Sequence, residues 1–263
     1  FSFIFLPISL ISGPLISDFI VSLIAILFIS YCLINKEYKY FKSSFFLIFI
    51  FFYFWCLLCA VLSDYKLISS LKSLVYFRFF IFALAVWFLL DQKKKLLNFL
   101  LLSILICFLL LVFDGYFQYF TGKNIIGYEQ TNIRLSSFFK DEFILGSYLS
   151  RFLPILIGLF FLSNYSKIKS LNIYFLLFII FTSALIFLTG ERAAFLFVIF
   201  TFFYLIIMPS KFSTKIIYLL FILIIIVGAF SIQNKNIKNR MILHTLSEVG
   251  ISHGLKNFSY QHK

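Results

Sequence analysis

The sequence predicts an all-α, polytopic integral membrane protein with about nine transmembrane helices. Three observations predict it. The chain is 62% hydrophobic and only 13% charged, with a mean hydropathy of +1.05, too little polar surface for a soluble domain of 263 residues. Apolar runs of about 20 residues, enough to cross a ~30 Å hydrocarbon core, recur from end to end. The short alternating segments of a transmembrane β-barrel are absent.

The elements follow in order, read directly from the sequence. Residues 1–11 are the tail of a first span, and Ser12-Gly13-Pro14 is a turn. The second span covers about 15–33, with Asp18 near its start, and 35–42 is a polar loop. A third span, about 43–62, leads through a short loop to a fourth at about 71–90, which carries Arg78. A tight basic loop, 91–95, precedes the fifth span at about 96–113. Then comes the one long internal loop, about 115–140. The sixth span, about 141–162, contains Arg151 and Pro154. The seventh runs about 171–188, Gly190-Glu191-Arg192 is a minimal turn, and the eighth runs about 193–208. The ninth covers about 216–230, after which the chain is polar again from about 231 to 263. The expected organisation is one transmembrane domain over 1–263. The chain begins inside an apolar run and ends inside a polar stretch, so it reads as a fragment of a longer protein. It has no basic leader followed by a small-residue cleavage site.

Orientation comes from the loops. Alternate short connections hold Lys36, Lys39 and Lys42; Lys93, Lys94 and Lys95; Lys167 and Lys169; and Lys211 and Lys215, against the acids Glu37 and Asp91. The positive-inside rule makes these loops cytoplasmic. The long loop, the Gly-Glu-Arg turn and the C-terminal stretch then face outward, which in a bacterial inner membrane is the periplasm. Lys outnumbers Arg 18 to 5, yet Arg78, Arg134, Arg151, Arg192 and Arg240 all fall on or near the outer side. The positive-inside rule does not separate Lys from Arg. A need for planar, always-charged, bidentate anion binding does.

The net charge of +13 does not point to nucleic acid, because most cations cap helix ends and no basic stripe lies on a soluble surface. Cys32, Cys56, Cys59 and Cys107 sit inside apolar spans and read as small buried hydrophobes. No metal-ligand motif and no Gly-rich phosphate loop is present.

The charges gather in two islands, 132–151 and 189–192. Arg151 lies ten residues past the expected helix start, roughly 15 Å along the axis. A charge at that depth needs a partner or a wet cavity. An ion pair with Asp18, Asp114, Glu142 or Glu191, a substrate anion, and snorkelling to the interface each satisfy that need. Arg192 opens the eighth helix beside free backbone N–H groups, a setting that suits a phosphate or pairing with Glu191. Arg134 precedes the sixth helix, with Ser136-Ser137 and Asp141-Glu142 as candidate caps. Arg78 reads equally as structural or functional. Arg240 and His244 share a face if their segment is helical, and His253 and His262 follow.

These islands resemble the bacterial O-antigen ligase and O-antigen polymerase superfamily. The resemblance rests on D-x-x-x-Q from Asp114 to Gln118, Thr121-Gly122-Lys123-Asn124, Gly127-Tyr128, R-L-S-S-F-F-x-D-E-x-x-L-G-S-Y-L from Arg134, and T-G-E-R-A-A from Thr189. It spans about Ser12 to the end. It implies an inverting, metal-independent glycosyltransferase without cofactors, acting on membrane lipid substrates. Glycan would pass from undecaprenyl diphosphate to an acceptor at the periplasmic face: the lipid A core, another lipid-linked repeat unit, or a protein side chain. By position, Arg192 with Arg151 or Arg134 would engage the donor diphosphate, with Glu191, Asp114, Asp141, Glu142, Arg78 and Arg240 in support. The family's histidine lies in the large periplasmic loop. His262 is the residue of that loop on which the base role would fall. A different class, a transporter or flippase of a lipid-linked or anionic substrate, would place charges near the midplane of paired halves. Here the charges favour one face.

Overall fold

The structure, a computed structural model, describes residues 3–93, 95–130, 134–140, 142–163, 165, 168–207, 213–233 and 239–243. Among these residues it is helical throughout, with one isolated β-bridge, Lys123 to Glu129. The helices are α1 (Leu6–Ser12), α2 (Pro14–Asn35), α3 (Ser44–Leu62), α4 (Lys66–Val75), α5 (Phe77–Gln92), α6 (Lys95–Thr121), α7 (Leu145–Leu162), α8 (Lys169–Leu188), α9 (Arg192–Ile207) and α10 (Ser213–Gln233). Six stretches are long and apolar enough to cross a membrane: α2, α3, α4 with α5, α6, α7, and Ser170–Leu188 of α8. α9 and the apolar part of α10 are shorter, and α1 has only 7 residues. Much of the surface is itself apolar. Only 11% of the apolar window of α3 is buried, with Phe51, Trp55 and Leu62 exposed. A water-facing surface does not carry contiguous apolar area on this scale. The whole is compatible with a multi-pass membrane protein.

The chain falls into two compact units, Phe1–Ser103 and Ile104–Lys263. In the first, α2 and α5 run parallel. Arg78 and Asp18 pair at 2.7 Å near the starts of the two helices, and Phe28 meets Phe88 near their ends, ring centroids 5.5 Å apart. Tyr40, which follows α2, donates to Asp91 in the last turn of α5 at 3.2 Å. Gly13 with φ +126° followed by Pro14 starts α2, because Pro at the first helical position loses no hydrogen bond. Ser43 caps α3 by accepting from the Phe46 N–H at 3.3 Å. The single fourth span expected over 71–90 is two helices, α4 and α5, meeting at Tyr76.

In the second unit α7 is the core helix. Leu145, Leu149, Leu153, Leu156 and Phe160, at spacings of three and four, are all nearly inaccessible and form one stripe. α7 packs on α8 and α9, and α10 packs on α8 and α9. α6 lies close to α8: the Tyr116 hydroxyl donates to the Phe181 carbonyl at 2.8 Å. Two boundaries differ from expectation. α6 continues to Thr121, so Asp114 and Gln118 are helical and not the rim of a loop. α7 begins at Leu145, later than the expected start at Asp141. Cys59 also corrects its reading, since it is exposed on α3 while Cys32 and Cys107 are buried.

Candidate functional site

The polar residues of the second unit collect at one end, where α6 and α8 finish and α7 and α9 begin. Asp114 and Gln118, one helical turn apart on α6, are both fully buried. Asp114 accepts from the Ile125 N–H at 2.9 Å through Oδ1, and from the Ser137 hydroxyl through Oδ2. Gln118 Oε1 accepts from the N–H groups of Ser136 and Ser137 at 3.1 and 2.8 Å. The Asn124 amide donates to the Ser137 carbonyl at 2.9 Å and accepts from the Tyr128 N–H at 2.7 Å. Ser137 has φ +52°, a region that non-glycine residues rarely occupy. Its N–H, hydroxyl and carbonyl are each held by one of these three side chains, which is what keeps it there. The loop that carries Arg134 is thereby fastened to α6.

The second fastening is Glu191. The N-terminus of α7 has no cap of its own: Ile144 precedes it, and neither Ser136-Ser137 nor Glu142 serves. Ser136 and Ser137 belong to the network on α6, and Glu142 is exposed. The cap comes from across the unit. Glu191 accepts from the Gly146 N–H at 2.8 Å, the Ser147 N–H at 3.0 Å and the Ser147 hydroxyl at 2.5 Å. A carboxylate at a helix N-terminus satisfies orphan donors and meets the positive end of the dipole. The approach requires glycine at 146. A Cβ there would lie 2.5 Å from Thr189 Oγ1 and 3.0 Å from Glu191 Oε1. Gly190, with φ +72°, ends α8 and turns the chain so that Glu191 faces α7.

Three arginines converge on this end. Arg192 is the first residue of α9. Arg240, in a π-helical turn at Asn239–Leu243, donates from Nε to the Gly190 carbonyl at 2.9 Å. Partial burial holds the Arg240 guanidinium below its ordinary pKa, and the neighbouring charges of Arg134 and Arg192 add to this, with Glu191 opposing. Arg134 and Arg192 are therefore each within electrostatic reach of Arg240. Arg134 stacks over Phe143, 5.1 Å from its centroid, and its Nε is buried without a hydrogen-bond partner. Asp114 and Glu191 turn their oxygens to backbone N–H and hydroxyl donors.

Arg151 and Arg78 have other settings. Arg151 is exposed on α7, about 9 Å along the axis from Leu145. None of the ion pairs expected for it forms. Asp18 is taken by Arg78, Asp114 by Ser137 and Ile125, Glu191 by α7 itself, and Glu142 is exposed. Arg78 is a structural residue of the first unit, bound to Asp18 at 2.7 Å and Ser22 at 3.2 Å. Asp141, His244, His253 and His262 lie outside the described residues. The residues whose role sequence reasoning missed are Gly146 and Ser147. Their partner Glu191 is 45 and 44 positions away, so no local pattern could reveal the cap. No protein-family model, no curated protein and no solved structure matches this chain.

Proposed function

We propose that this chain is a membrane glycosyltransferase of the O-antigen ligase or polymerase type. It would move glycan from undecaprenyl diphosphate to an acceptor hydroxyl at the periplasmic face of the bacterial inner membrane. The observation that carries the reading is the placing of three arginines at one end of a helical unit: Arg240 donates to the Gly190 carbonyl, Arg192 begins α9 two residues on, and Arg134 lies three residues before Ser137, which is fastened to α6. Assembled cations of fixed charge are what a diphosphate leaving group requires. As the glycosidic bond breaks, charge develops on the diphosphate, and preorganised guanidiniums stabilise it without a metal. The lysine-rich loops support the orientation, since they connect the opposite ends of the helices. In the full nine-crossing arrangement, the span that ends with α1, together with α9 and α10, would join the six long spans. A base must still take the acceptor proton, and a histidine suits that task at neutral pH. His262 is the position the family resemblance offers.

The test is transfer in vesicles holding the full-length protein, a lipid-linked glycan donor and an acceptor. Arg192→Ala should lower transfer by about 10²–10³, the cost of removing one oxyanion donor, while insertion and expression stay unchanged. Wild-type transfer by that variant removes the diphosphate role. Movement of the donor lipid across the bilayer without glycan transfer would assign the chain to the transporter class instead.

A further inference from the structure

The hydrogen bond from the Ile125 N–H to Asp114 has a geometric consequence. Ile125 follows the end of α6 at Thr121, yet its partner lies seven residues before that end, about 10 Å back along the axis. The chain therefore reverses after Thr121 and returns alongside α6. A small hairpin accomplishes the reversal. Gly122 has φ +78°, the Gln130 N–H donates to the Gly122 carbonyl at 2.8 Å, and the Asn124 N–H donates to the Tyr128 carbonyl at 2.9 Å. At the tip stand Ile125 and Ile126, 55% and 63% exposed, before Gly127 with φ +101°. Water-facing turns use Gly, Asn, Asp and Ser for their backbone preferences. Here Asn124 and the glycines already meet those needs, so the paired isoleucines are not explained by the turn.

Their height explains them. The apolar stretch of α6, Leu96–Phe113, has 18 residues and is about 27 Å long, close to the ~30 Å of a hydrocarbon core. It stops at the residue before Asp114. The two turns beyond carry Tyr116, Phe117, Tyr119 and Phe120, with Phe117 and Phe120 exposed, the composition of an aromatic belt at a bilayer surface. The hairpin brings its tip back to the level where the apolar stretch gives way to this belt.

We infer that Ile125 and Ile126 form an interfacial anchor that inserts into the lipid where headgroups meet acyl chains. The occupant of this surface is the bilayer and not a protein partner, because the tip shares its level with the belt of the helix it folds against. The inference rests on the membrane reading of the chain. The same Asp114 carboxylate holds both the tip and Ser137, three residues from Arg134. The anchor thus sets the height of one cation of the proposed site at that of lipid headgroups.

Tryptophan fluorescence in phosphatidylcholine vesicles tests it, with bromine placed on the acyl chains near the carbonyl end or near the methyl end. The tip reporter is Trp55→Phe/Trp87→Phe/Ile126→Trp in the full chain, repeated with Ile125→Trp. The control is Trp87→Phe, which leaves Trp55, exposed at 59% on α3. The expected result is a blue-shifted tip emission, quenched more by the shallow bromines than by the deep ones. Tip emission that stays unquenched while Trp55 is quenched overturns the anchor, whether red-shifted in water or blue-shifted against a protein partner. Stronger quenching by the deep bromines overturns the interfacial placement. If Trp55 is not quenched either, the membrane reading fails and takes the anchor with it.

Discussion

Replacing Glu191 with alanine isolates the cap that α7 receives from the turn before α9. The substitution strands the N–H groups of Gly146 and Ser147 and the Ser147 hydroxyl. The hydroxyl can turn elsewhere, but the two N–H groups begin a helix and have no intrahelical acceptor. Each hydrogen bond to a charged acceptor contributes about 1.5–3 kcal/mol net. Glu191 is 9% exposed, so water gives little compensation. Relief from holding a carboxylate away from water offsets part of the loss. The expected destabilisation of Glu191→Ala is therefore about 3 kcal/mol, or about 6–12 °C in Tm by the scaling for domains of this size. Glu191→Gln keeps one accepting oxygen but turns an amide NH2 toward a donor, and should cost roughly half as much. Thermal unfolding of the purified protein in detergent measures both. A cycle with Ser147→Ala should reveal a coupling of about 1 kcal/mol. A Glu191→Ala protein that melts with the wild type, or costs that add without coupling, would refute the capping role.

Gly146→Ala should destabilise by about 1–3 kcal/mol through overpacking, because the new methyl meets Thr189 Oγ1 and Glu191. Adding Thr189→Ala should restore part of the loss in the same melting assay. Asp114→Leu frees both the hairpin tip and Ser137, so proteolytic cleavage between Gly122 and Gln130 should accelerate well before global unfolding. Unchanged cleavage would mean the loop is held by other contacts. Arg151→Ala should shift stability by no more than about 0.5 kcal/mol, since its exposed side chain has no ion pair with a described residue. A loss of glycan transfer without a loss of stability would add Arg151 to the donor site, and Arg151→Lys would then restore charge but not bidentate geometry.

What was legible in the sequence was whatever depends on local composition. The long apolar helices, the turn at Gly13-Pro14 and the break at Gly190 all follow from runs and punctuators. The overrun of α6 was hidden because Asp114-Gly115 reads as a stop. The aspartate is tolerated inside the helix only because Ile125 and Ser137 supply its hydrogen bonds. The break at Tyr76 carries no glycine or proline to announce it. The Lys and Arg split drew attention to the arginines, and of the five, Arg134 and Arg192 lie within electrostatic reach of Arg240. Arg151 does not join them among the described residues, because α7 starts at Leu145 and turns this position outward. Asp114 and Glu191 looked like possible ion-pair partners. Burial and long-range backbone contacts, which no spacing encodes, make them fasteners.

The turn between α8 and α9 ties several parts of the site together. Its Gly190 carbonyl receives Arg240, its Glu191 holds α7, and Arg192 follows directly. The spacing of the cations is thus set when the unit folds and not when a ligand arrives. Like charges lie close together there, with Glu191 opposing part of their effect on Arg240. An anion bound only by the folded unit raises its stability by RT ln(1 + [L]/Kd), about 2.7 kcal/mol at a hundredfold excess over Kd. Folding and occupancy at this turn are two readings of the same free energy, so a melting curve taken against diphosphate concentration would report on the site before any transfer reaction is known.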